Sequence, residues 1–376
     1  MPGGMPDGNS GEYPVQFRQF LLEYRTLRRE TIMDKKVRFG IIGCGVIAPN
    51  HANAIVNNDR AQLVAVCDID ETKGKAFQQK YAAPYFHKDY HELLKREDVD
   101  VVCICTPSGM HGDMTIDAAR AGKHVFCEKP LDIHSEKMTQ MIDACRENHV
   151  KLGCVFQRRL MKEAIATKEA FENGEFGKIV LADAYLKYYR SQEYYNSAGW
   201  RGTWDLDGGG ALMNQGVHGI DMILWLAGDV KSVFARCETL AREIQVEDTA
   251  LAVLKFKSGA VGVIEGTTSV YPAQETRFEI HGENGSVIFS DSGFRQWRKV
   301  GEEQDTFPDI KNEKVGGSSD PKAISGSGHY ALIDDMISAV LEDRDPMITG
   351  ESARKAVDLI LAIYESAKTG KEIFLP

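Results

Sequence analysis

Between residues 37 and 156, short apolar runs alternate with amphipathic stretches long enough to form helices, and this alternation restricts the fold more than any other feature. Strands joined by helices at this spacing require right-handed crossovers and a parallel sheet. The runs are rich in Val, Ile and Cys without polar alternation, as expected for strands covered by helices on both faces. They occupy residues 37–42, 63–67, 101–105, 124–127 and 151–156.

The pattern changes beyond residue 158, where a helix, a strand and a second helix are predicted over residues 160–173, 178–189 and 209–225. Alternating runs joined by turn signals then predict an open, mostly antiparallel sheet with one covered face. These strands are predicted at 230–240, 248–257, 261–270, 276–281 and 286–288. A Gly/Ser-rich loop at 315–328 precedes two helices at 330–341 and 351–368.

A chain of 376 residues exceeds the usual size of one hydrophobic core, so we expect two domains. The predicted division is a flexible or weakly helical extension (1–35), a doubly wound parallel α/β domain (36–157), a second α/β domain with the open sheet (158–328) and C-terminal helices (329–376).

Composition narrows the possible partners. The chain has 45 Lys+Arg against 55 Asp+Glu and no basic run, which argues against nucleic acid. No apolar stretch approaches the roughly 20 residues needed to cross a bilayer. The N-terminus lacks a hydrophobic signal core, so we expect a cytoplasmic protein. The eight cysteines have no zinc-like or disulfide-like spacing, and we expect buried thiols and no metal.

A glycine loop follows the first predicted strand. Residues 43–48 read G-x-G-x-x-A, in which Gly43 permits a tight turn, Gly45 lets the backbone approach a pyrophosphate and Ala48 allows close helix packing. The N-terminus of the next helix would face the phosphates. The loop therefore predicts a dinucleotide site, which also includes Cys44, Val46 and Ile47.

Asp68 ends the next strand, about 20 residues further on, where a carboxylate can accept the ribose hydroxyls. Its charge would repel a 2'-phosphate, so NAD is favoured over NADP. The alternative is that Asp68 only caps the following helix.

Two further segments carry titratable groups. Lys129 follows Glu128 and precedes a proline at the end of a predicted strand. It could serve as a proton-transfer group, and the alternative is a lysine on a surface loop. Asn214, His218 and Asp221 share one helix face, which could hold an imidazole beside a group that binds a substrate hydroxyl. The alternative is a core histidine paired with Asp221.

Together these motifs resemble the Gfo/Idh/MocA oxidoreductases, the family of glucose-fructose oxidoreductase and inositol dehydrogenase. The resemblance implies a Rossmann domain, a second domain whose sheet lines the active site and often an oligomer interface, and final helices that return toward the first domain. A homo-oligomer, dimer or tetramer, is expected. The motifs are G-x-G-x-x-A at 43–48, C-T-P-S-x-x-H at 105–111, E-K-P at 128–130, G-G-G-A-L-M-N-Q-x-x-H-x-x-D at 208–221 and I-Y-E-S-A-K-T-G at 363–370.

By this resemblance, Lys129 stands beside the nicotinamide and the substrate hydroxyl, and His218 is its acid/base partner. The bond between Lys129 and Pro130 is expected to be cis. Many members carry Asp where this chain has Asn214, which suggests that Asn214 orients substrate and leaves open how Lys129 and His218 share the acid/base work. The cofactor side is expected to include Cys105, Thr106, Pro107, Ser108, His111 and Glu128.

Several cations and aromatic residues precede the histidine segment, and in an acidic protein they suggest an anionic ligand. The expected substrate-binding residues are Gln157, Arg158, Lys187, Arg190, Trp200 and Arg201, together with Asn214 and His218. The alternative is that the cations pair with Asp183, Glu193, Asp205 or Asp207 as scaffold.

The segment 190–215 is similar to the branch that includes UDP-N-acetyl-amino-sugar uronate 3-dehydrogenases. We therefore expect an NAD-dependent dehydrogenase that oxidises a secondary alcohol of a sugar, sugar acid, nucleotide sugar or cyclitol. The alternatives are a non-catalytic NAD-linked sensor or regulator and a reductase of a keto sugar.

Overall fold

The computed structural model describes residues 35–309 and 327–376. The predicted N-terminal extension lies outside these residues except for Lys35, and so does the predicted loop as far as residue 326. Ser327 and Gly328, expected in that loop, instead begin a helix. A Cβ on Gly328 would lie 2.6 Å from the Gln157 side chain, so the bare glycine allows this helix start to pack closely.

The first sheet has six parallel strands in the order β3-β2-β1-β4-β5-β6, which confirms the predicted doubly wound class. Its strands are β1 Val37–Ile42, β2 Ala61–Cys67, β3 Tyr85–His87, β4 Val101–Ile104, β5 His124–Cys127 and β6 Leu152–Cys154. Its helices are α1 Ala48–Val56, α2 Glu71–Tyr81, α3 Tyr90–Leu94, α4 His111–Arg120 and α5 Ser135–Glu147. Strand β3 was not predicted, because three residues are too short to show a periodic pattern.

The second sheet has eight strands in the order β13-β12-β11-β7-β10-β9-β8-β14. Only β7 and β10 pair in parallel among them, so the predicted mostly antiparallel sheet is confirmed. The strands are β7 Ile179–Lys187, β8 Val230–Glu238, β9 Thr249–Phe256, β10 Val261–Thr267, β11 Arg277–Gly282, β12 Gly285–Ser290, β13 Gly293–Lys299 and β14 Ile373–Phe374. The prediction missed β13, a polar edge strand, and the two-residue β14.

Helices cover one face of this sheet. They include α6 Lys162–Glu172, α7 Gln192–Asn196 and α8 Val217–Ala227, and a π-helical turn at Ala211–Gly216 leads into α8. A Cβ on Gly219 would lie 2.2 Å from Leu186, so glycine lets α8 approach β7. The other face exposes apolar side chains, among them Phe234, Leu251 and Val253.

The last two helices, α9 Ser327–Glu342 and α10 Gly350–Thr369, contact the first sheet's layer. Asp334 of α9 accepts a hydrogen bond from Arg60 at 2.6 Å, next to α1. Asp358 of α10 accepts one from Ser135, at the start of α5. None of the helices in the described ranges, 35–309 and 327–376, has the length and apolar character of a membrane span.

Candidate active site

The glycine loop lies between β1 and α1. Gly43 adopts a φ of 90°, and a Cβ there would lie 2.7 Å from the carbonyl oxygen of Cys105. The nearest atom to a Cβ on Gly45 would be that same oxygen at 4.0 Å, so the space above Gly45 is open. Ile47 at the N-cap of α1 makes no side-chain hydrogen bond, but Pro49 has no N–H and the Asn50 N–H donates to the Ile47 carbonyl at 2.9 Å, so the open backbone at Gly45 is the main room for an anion. The loop therefore fits the pyrophosphate of a dinucleotide.

Asp68 closes this loop from the end of β2. Its Oδ2 accepts a hydrogen bond from the Cys44 N–H at 2.8 Å, and its Oδ1 accepts one from the Asp70 N–H at 2.9 Å. The alternative role as a helix cap is wrong, because Asp70 caps α2 through the N–H groups of Thr72 and Lys73. Lys73 Nζ also lies 3.3 Å from Asp68 Oδ2, a cation that the sequence reasoning did not place there.

The segment after β4 forms the other wall of the loop. Cys105 and Ser108 are buried, and Pro107 precedes a short 3-10 turn over Ser108–Met110. His111 is 1% exposed, and its ring nitrogens lie 2.8 Å from the Pro130 carbonyl and 3.0 Å from the Thr106 carbonyl. His111 therefore braces the segment against the turn after β5 instead of facing open space.

Lys129 links the turn after β5 to the π-helical turn before α8. Its peptide bond to Pro130 is cis, as expected, and its Nζ donates a hydrogen bond to the main-chain oxygen of Asn214 at 2.9 Å. Burial lowers the pKa of Lys129, while the charges of Glu128 and Asp207 raise it. This lysine is half-buried at the junction of the two sheets, and the reading as a surface-loop lysine is wrong.

Glu128 is held by two histidines from distant elements. His51 of α1 donates to Glu128 Oε1 at 2.7 Å, and His329 of α9 lies 3.3 Å from the same oxygen. Burial alone would raise the pKa of Glu128, but the hydrogen bonds from His329 and His51 hold it well below its usual range. The ligand atoms of these three buried side chains lie within 4.8 Å of one another, a spacing that suits a metal ion as well as the hydrogen bonds described.

Asn214 belongs to a polar network beside Lys129. Its Nδ2 donates to Asp207 Oδ1 at 2.6 Å, and its Oδ1 accepts from Gln215 Nε2 at 3.2 Å. Gln215 Nε2 also lies 3.0 Å from the Tyr194 hydroxyl. Burial raises the pKa of Asp207, opposed by hydrogen bonds from Gly202 and Asn214. Asp207 is thus the carboxylate nearest to this network, although the sequence reasoning treated it only as scaffold.

His218 follows one helical turn later and packs edge-on against Phe156. The alternative in which Asp221 pairs with this histidine is wrong, because both oxygens of Asp221 accept hydrogen bonds from Arg159. His218 Nδ1 is buried without a partner among the described residues. Burial lowers the pKa of His218 well below its usual range, and the nearby Lys129 charge lowers it further.

A buried carboxylate supports the turn that carries Asn214. Glu247 accepts hydrogen bonds from the N–H groups of Gly210 and Leu212 and from the Tyr364 hydroxyl, each at 2.9 Å. A Cβ on Gly209 would lie 2.1 Å from the Tyr364 hydroxyl oxygen, which explains a glycine there. The sequence reasoning missed Glu247, although Tyr364 lies in one of the motifs it singled out.

The predicted substrate-binding cations divide into two groups. Arg158 pairs with Asp291 at 2.6 Å, both buried, and Lys187 pairs with Glu265 at 2.7 Å. Lys187 follows Leu186, which contacts α8, so Lys187 lies on the opposite face of the sheet and away from Asn214. Arg158 and Lys187 therefore form structural ion pairs, as the alternative prediction had it, but their partners are not the carboxylates that were expected.

The second group lies beside the Asn214 network. The Arg201 guanidinium stacks on the rings of Tyr194 at 4.3 Å and Trp200 at 4.6 Å. The Arg190 guanidinium lies 5.5 Å from the centre of the Tyr194 ring and also hydrogen-bonds the Tyr194 side chain. Gln157 Oε1 is buried and has no partner within residues 35–309 and 327–376.

Comparisons with known proteins agree with this architecture. Residues 37–156 match the oxidoreductase family with an NAD-binding Rossmann fold, and residues 165–288 match the GFO/IDH/MocA C-terminal domain. The myo-inositol 2-dehydrogenase of Thermotoga maritima is 33% identical over 333 residues, which cover 79% of this chain and 93% of that enzyme. The inositol 2-dehydrogenase of Rhizobium meliloti is 29% identical over 258 residues, which cover 67% of this chain and 74% of that enzyme.

Among solved structures, the WlbA dehydrogenase from Bordetella pertussis in complex with NADH and UDP-GlcNAcA is similar with a TM-score of 0.82 at 36% identity. The match covers 91% of this chain and 99% of that one. The fold and the site define the class of NAD-dependent oxidoreductases with a Rossmann domain. Within that class, the chain belongs to the Gfo/Idh/MocA family.

Proposed function

We propose that this protein oxidises a secondary alcohol of a sugar-type substrate, with Lys129, His218 and Asn214 at the reacting carbon. The observation that carries the proposal is the hydrogen bond from Lys129 to the Asn214 main chain, which brings the ends of the parallel strands and the start of α8 to one point. NAD supplies the hydride acceptor when bound. The residues that would hold it are Gly43, Cys44, Gly45, Val46, Ile47, Asp68, Cys105, Thr106, Pro107, Ser108, Glu128 and Lys129.

Oxidation of the alcohol requires its hydroxyl proton to leave as the carbonyl forms. His218 is neutral in this environment, so its imidazole can accept a hydrogen bond or a proton from the hydroxyl. A protonated imidazole beside the Lys129 and Arg158 charges is unfavourable, so His218 is poorly suited to retain the proton. Lys129, whose pKa is lowered by burial, can accept the proton in its neutral amine form, and the ammonium group that results donates a hydrogen bond to the substrate oxygen.

The substrate is an anionic sugar in this proposal. Arg190 and Arg201 lie beside the Asn214 network, and a guanidinium group recognises carboxylate or phosphate well. The similarity to WlbA, whose structure contains UDP-GlcNAcA, supports a uronate or nucleotide-sugar uronate. The similarity to myo-inositol 2-dehydrogenase supports a cyclitol as the alternative.

The direct test is a substrate panel of inositols, hexoses, uronic acids and UDP-sugars, with NADH formation followed by absorbance. Turnover of an anionic sugar supports the proposal, and turnover of inositol alone refutes its anionic part. Binding of NAD without turnover of any compound favours the non-catalytic sensor. Faster reaction of the matching keto sugar with NADH favours the reductase.

Variants test the assigned roles. Lys129→Ala and His218→Ala are each expected to lower kcat by about 100-fold or more, since general acid-base groups typically contribute that much. NADH affinity, measured by fluorescence titration, should change far less than kcat, because Lys129 is one of many residues that would hold the cofactor and His218 is not among them. If either variant turned over substrate as fast as the wild type, the substituted residue would have no part in the mechanism.

Asp68 provides the cofactor test. We expect Asp68→Ala to weaken NAD binding, because the ribose hydroxyls lose an acceptor, and to reduce the preference for NAD over NADP, because the repelling charge is removed. The substitution also leaves the Lys73 ammonium, 3.3 Å from Asp68 Oδ2 in the wild type, without its counter-charge, and this adds to the second effect. An unchanged ratio of the two affinities would show that Asp68 does not discriminate between the cofactors.

The exposed face of the second sheet suits a homo-oligomer. Leu251 and Val253 are 53% and 57% exposed on adjacent outward positions of β9, and Phe234 of β8 extends the same apolar surface. Apolar surface of this kind on an open sheet is typical of a protein contact. Light scattering should show a dimer or tetramer that Leu251→Lys with Val253→Lys converts to monomer, and a wild-type monomer would refute the interface.

A further inference from the structure

The Tyr194 hydroxyl has an unusual set of partners. Its oxygen accepts a hydrogen bond from Arg201 Nη1 at 2.5 Å and a second from Gln215 Nε2 at 3.0 Å. Neither partner can accept a proton in return, and nor can the Arg190 side chain that also hydrogen-bonds Tyr194, because guanidinium and amide NH₂ groups only donate. Both acceptor positions of the phenol oxygen are therefore filled. The proton of the hydroxyl group needs an acceptor elsewhere.

The orientation of the Gln215 amide follows from Asp207. The two oxygens of Asp207 accept from the Gly202 N–H at 2.8 Å and from Asn214 Nδ2 at 2.6 Å. Asn214 must therefore turn its Oδ1 toward Gln215, which donates to it at 3.2 Å. The second hydrogen of the same Gln215 NH₂ group then points at Tyr194. A flipped Gln215 amide would bring its oxygen against Asn214 Oδ1, two acceptors with no proton between them.

The Tyr194 proton has no acceptor among the residues that the structure describes. Burial raises the pKa of Tyr194, opposed by the charges of Arg201 and Arg190, so the hydroxyl keeps its proton. A hydrogen bond received from a cation polarises the O–H group and makes it a stronger donor. The buried Oε1 of Gln215 is also without a partner within the described ranges, so two polar groups of this network have a hydrogen bond still to make.

We propose that Tyr194 donates its hydroxyl proton to a carboxylate oxygen of the substrate and is a specificity-determining residue. The inference rests on the proposed function and deepens it. The guanidinium groups of Arg201 and Arg190, 4.3 Å and 5.5 Å from the centre of the Tyr194 ring, make an anionic acceptor favourable. The link through Gln215 to Asn214 places this acceptor near the reacting sugar ring, where a uronate carboxylate lies.

The test compares two probes that differ only at the carboxylate, UDP-N-acetylglucosaminuronic acid and UDP-N-acetylglucosamine, by calorimetric titration of the NADH-loaded protein. Tyr194→Phe should weaken binding of the uronate by about 10-fold to 100-fold, the usual range for a hydrogen bond to a charged group. Binding of UDP-N-acetylglucosamine should change by less than about 3-fold, because its neutral hydroxyl group is a weaker acceptor than the carboxylate.

The adjacent Tyr195→Phe is the matched control. The Tyr195 hydroxyl pairs with Thr268 Oγ1 at 2.8 Å and has no part in the Asn214 network, so its loss should leave both affinities unchanged. Equal weakening of both probes by Tyr194→Phe, or no weakening of either, overturns the assignment of Tyr194 while the proposed function stands. Failure of the wild-type protein to bind the uronate refutes both the anionic substrate and this assignment.

Discussion

The buried carboxylate of Glu247 provides a quantitative test of the structure. Burial raises its pKa from 4.5 to about 7, even though the Leu212 and Gly210 N–H groups and the Tyr364 hydroxyl favour the ionised form. In the unfolded chain the same group titrates near 4.5. Below that pH, Glu247 is protonated in both states, and its contribution to stability is fully present. As pH rises toward 7, only the unfolded state loses its proton, so stability is lost through this window.

The size of the effect follows from the shift. A difference of about 2.5 pKa units at about 1.36 kcal/mol each predicts a loss of about 3 kcal/mol in unfolding free energy between about pH 4.5 and 8. Glu247→Gln removes this titration. The amide also turns an NH₂ group toward one backbone N–H, but that penalty does not vary with pH. The unfolding free energy of the wild type minus that of Glu247→Gln should therefore fall by about 3 kcal/mol from low to high pH.

Urea unfolding of both proteins at a series of pH values measures this difference, if circular dichroism and tryptophan fluorescence give coincident transitions. All other titrating groups cancel in the subtraction. Tyr364→Phe is the control, because it keeps Glu247 but removes a hydrogen bond that favours the ionised form. Its pH-dependent loss should remain and move to higher pH. A difference between wild type and Glu247→Gln that is constant with pH, or that grows with pH, would refute the reasoning.

Three further predictions concern the loop, the scaffold and the site. Gly43→Ala should abolish NADH binding in a fluorescence titration, because a Cβ would lie 2.7 Å from a backbone carbonyl at a φ of 90°; retained affinity would contradict the described loop. Asp221→Asn should lower the unfolding free energy by about 3 to 5 kcal/mol in urea, because it leaves Arg159 buried without its counter-charge; an unchanged midpoint would show that the pair is not needed. Asp207→Asn should move the rising limb of the pH profile of kcat/KM to lower pH, since the Asp207 charge raises the pKa of Lys129; a shift to higher pH would exclude Lys129 as the titrating group.

Much of the fold could be predicted because its signals are local. The run at residues 37–42 and the strand Val37–Ile42 coincide, as do the run at 124–127 and the strand His124–Cys127. The conformation of the glycine loop could be predicted from its residue types, because a φ of 90° at Gly43 is accessible mainly to glycine. The strand Gly293–Lys299 was missed because its pairing with its neighbour, and not its own polar sequence, makes it a strand.

The partners of the charged groups could not be predicted in the same way. Asp221 lies one helical turn from His218 in sequence, yet it pairs with Arg159, 62 residues away. Arg158 pairs with Asp291 across 133 residues, and Glu128 meets His329 across 201. Each contact depends on which faces two distant elements present to each other, and helical spacing within one segment carries no information on that.

The sequence by itself determined the class of fold, the dinucleotide loop and the family, because turn geometry, strand composition and motif order are properties of neighbouring residues. Tertiary structure alone decided the environments that give these residues their chemistry. It placed Lys187 on the far face of the sheet, set Glu247 beneath the turn that carries Asn214, and left the Tyr194 proton without an acceptor among the described residues. Burial, charge and hydrogen-bond satisfaction depend on distances in space, and those distances are fixed only when the two sheets and the final helices pack together.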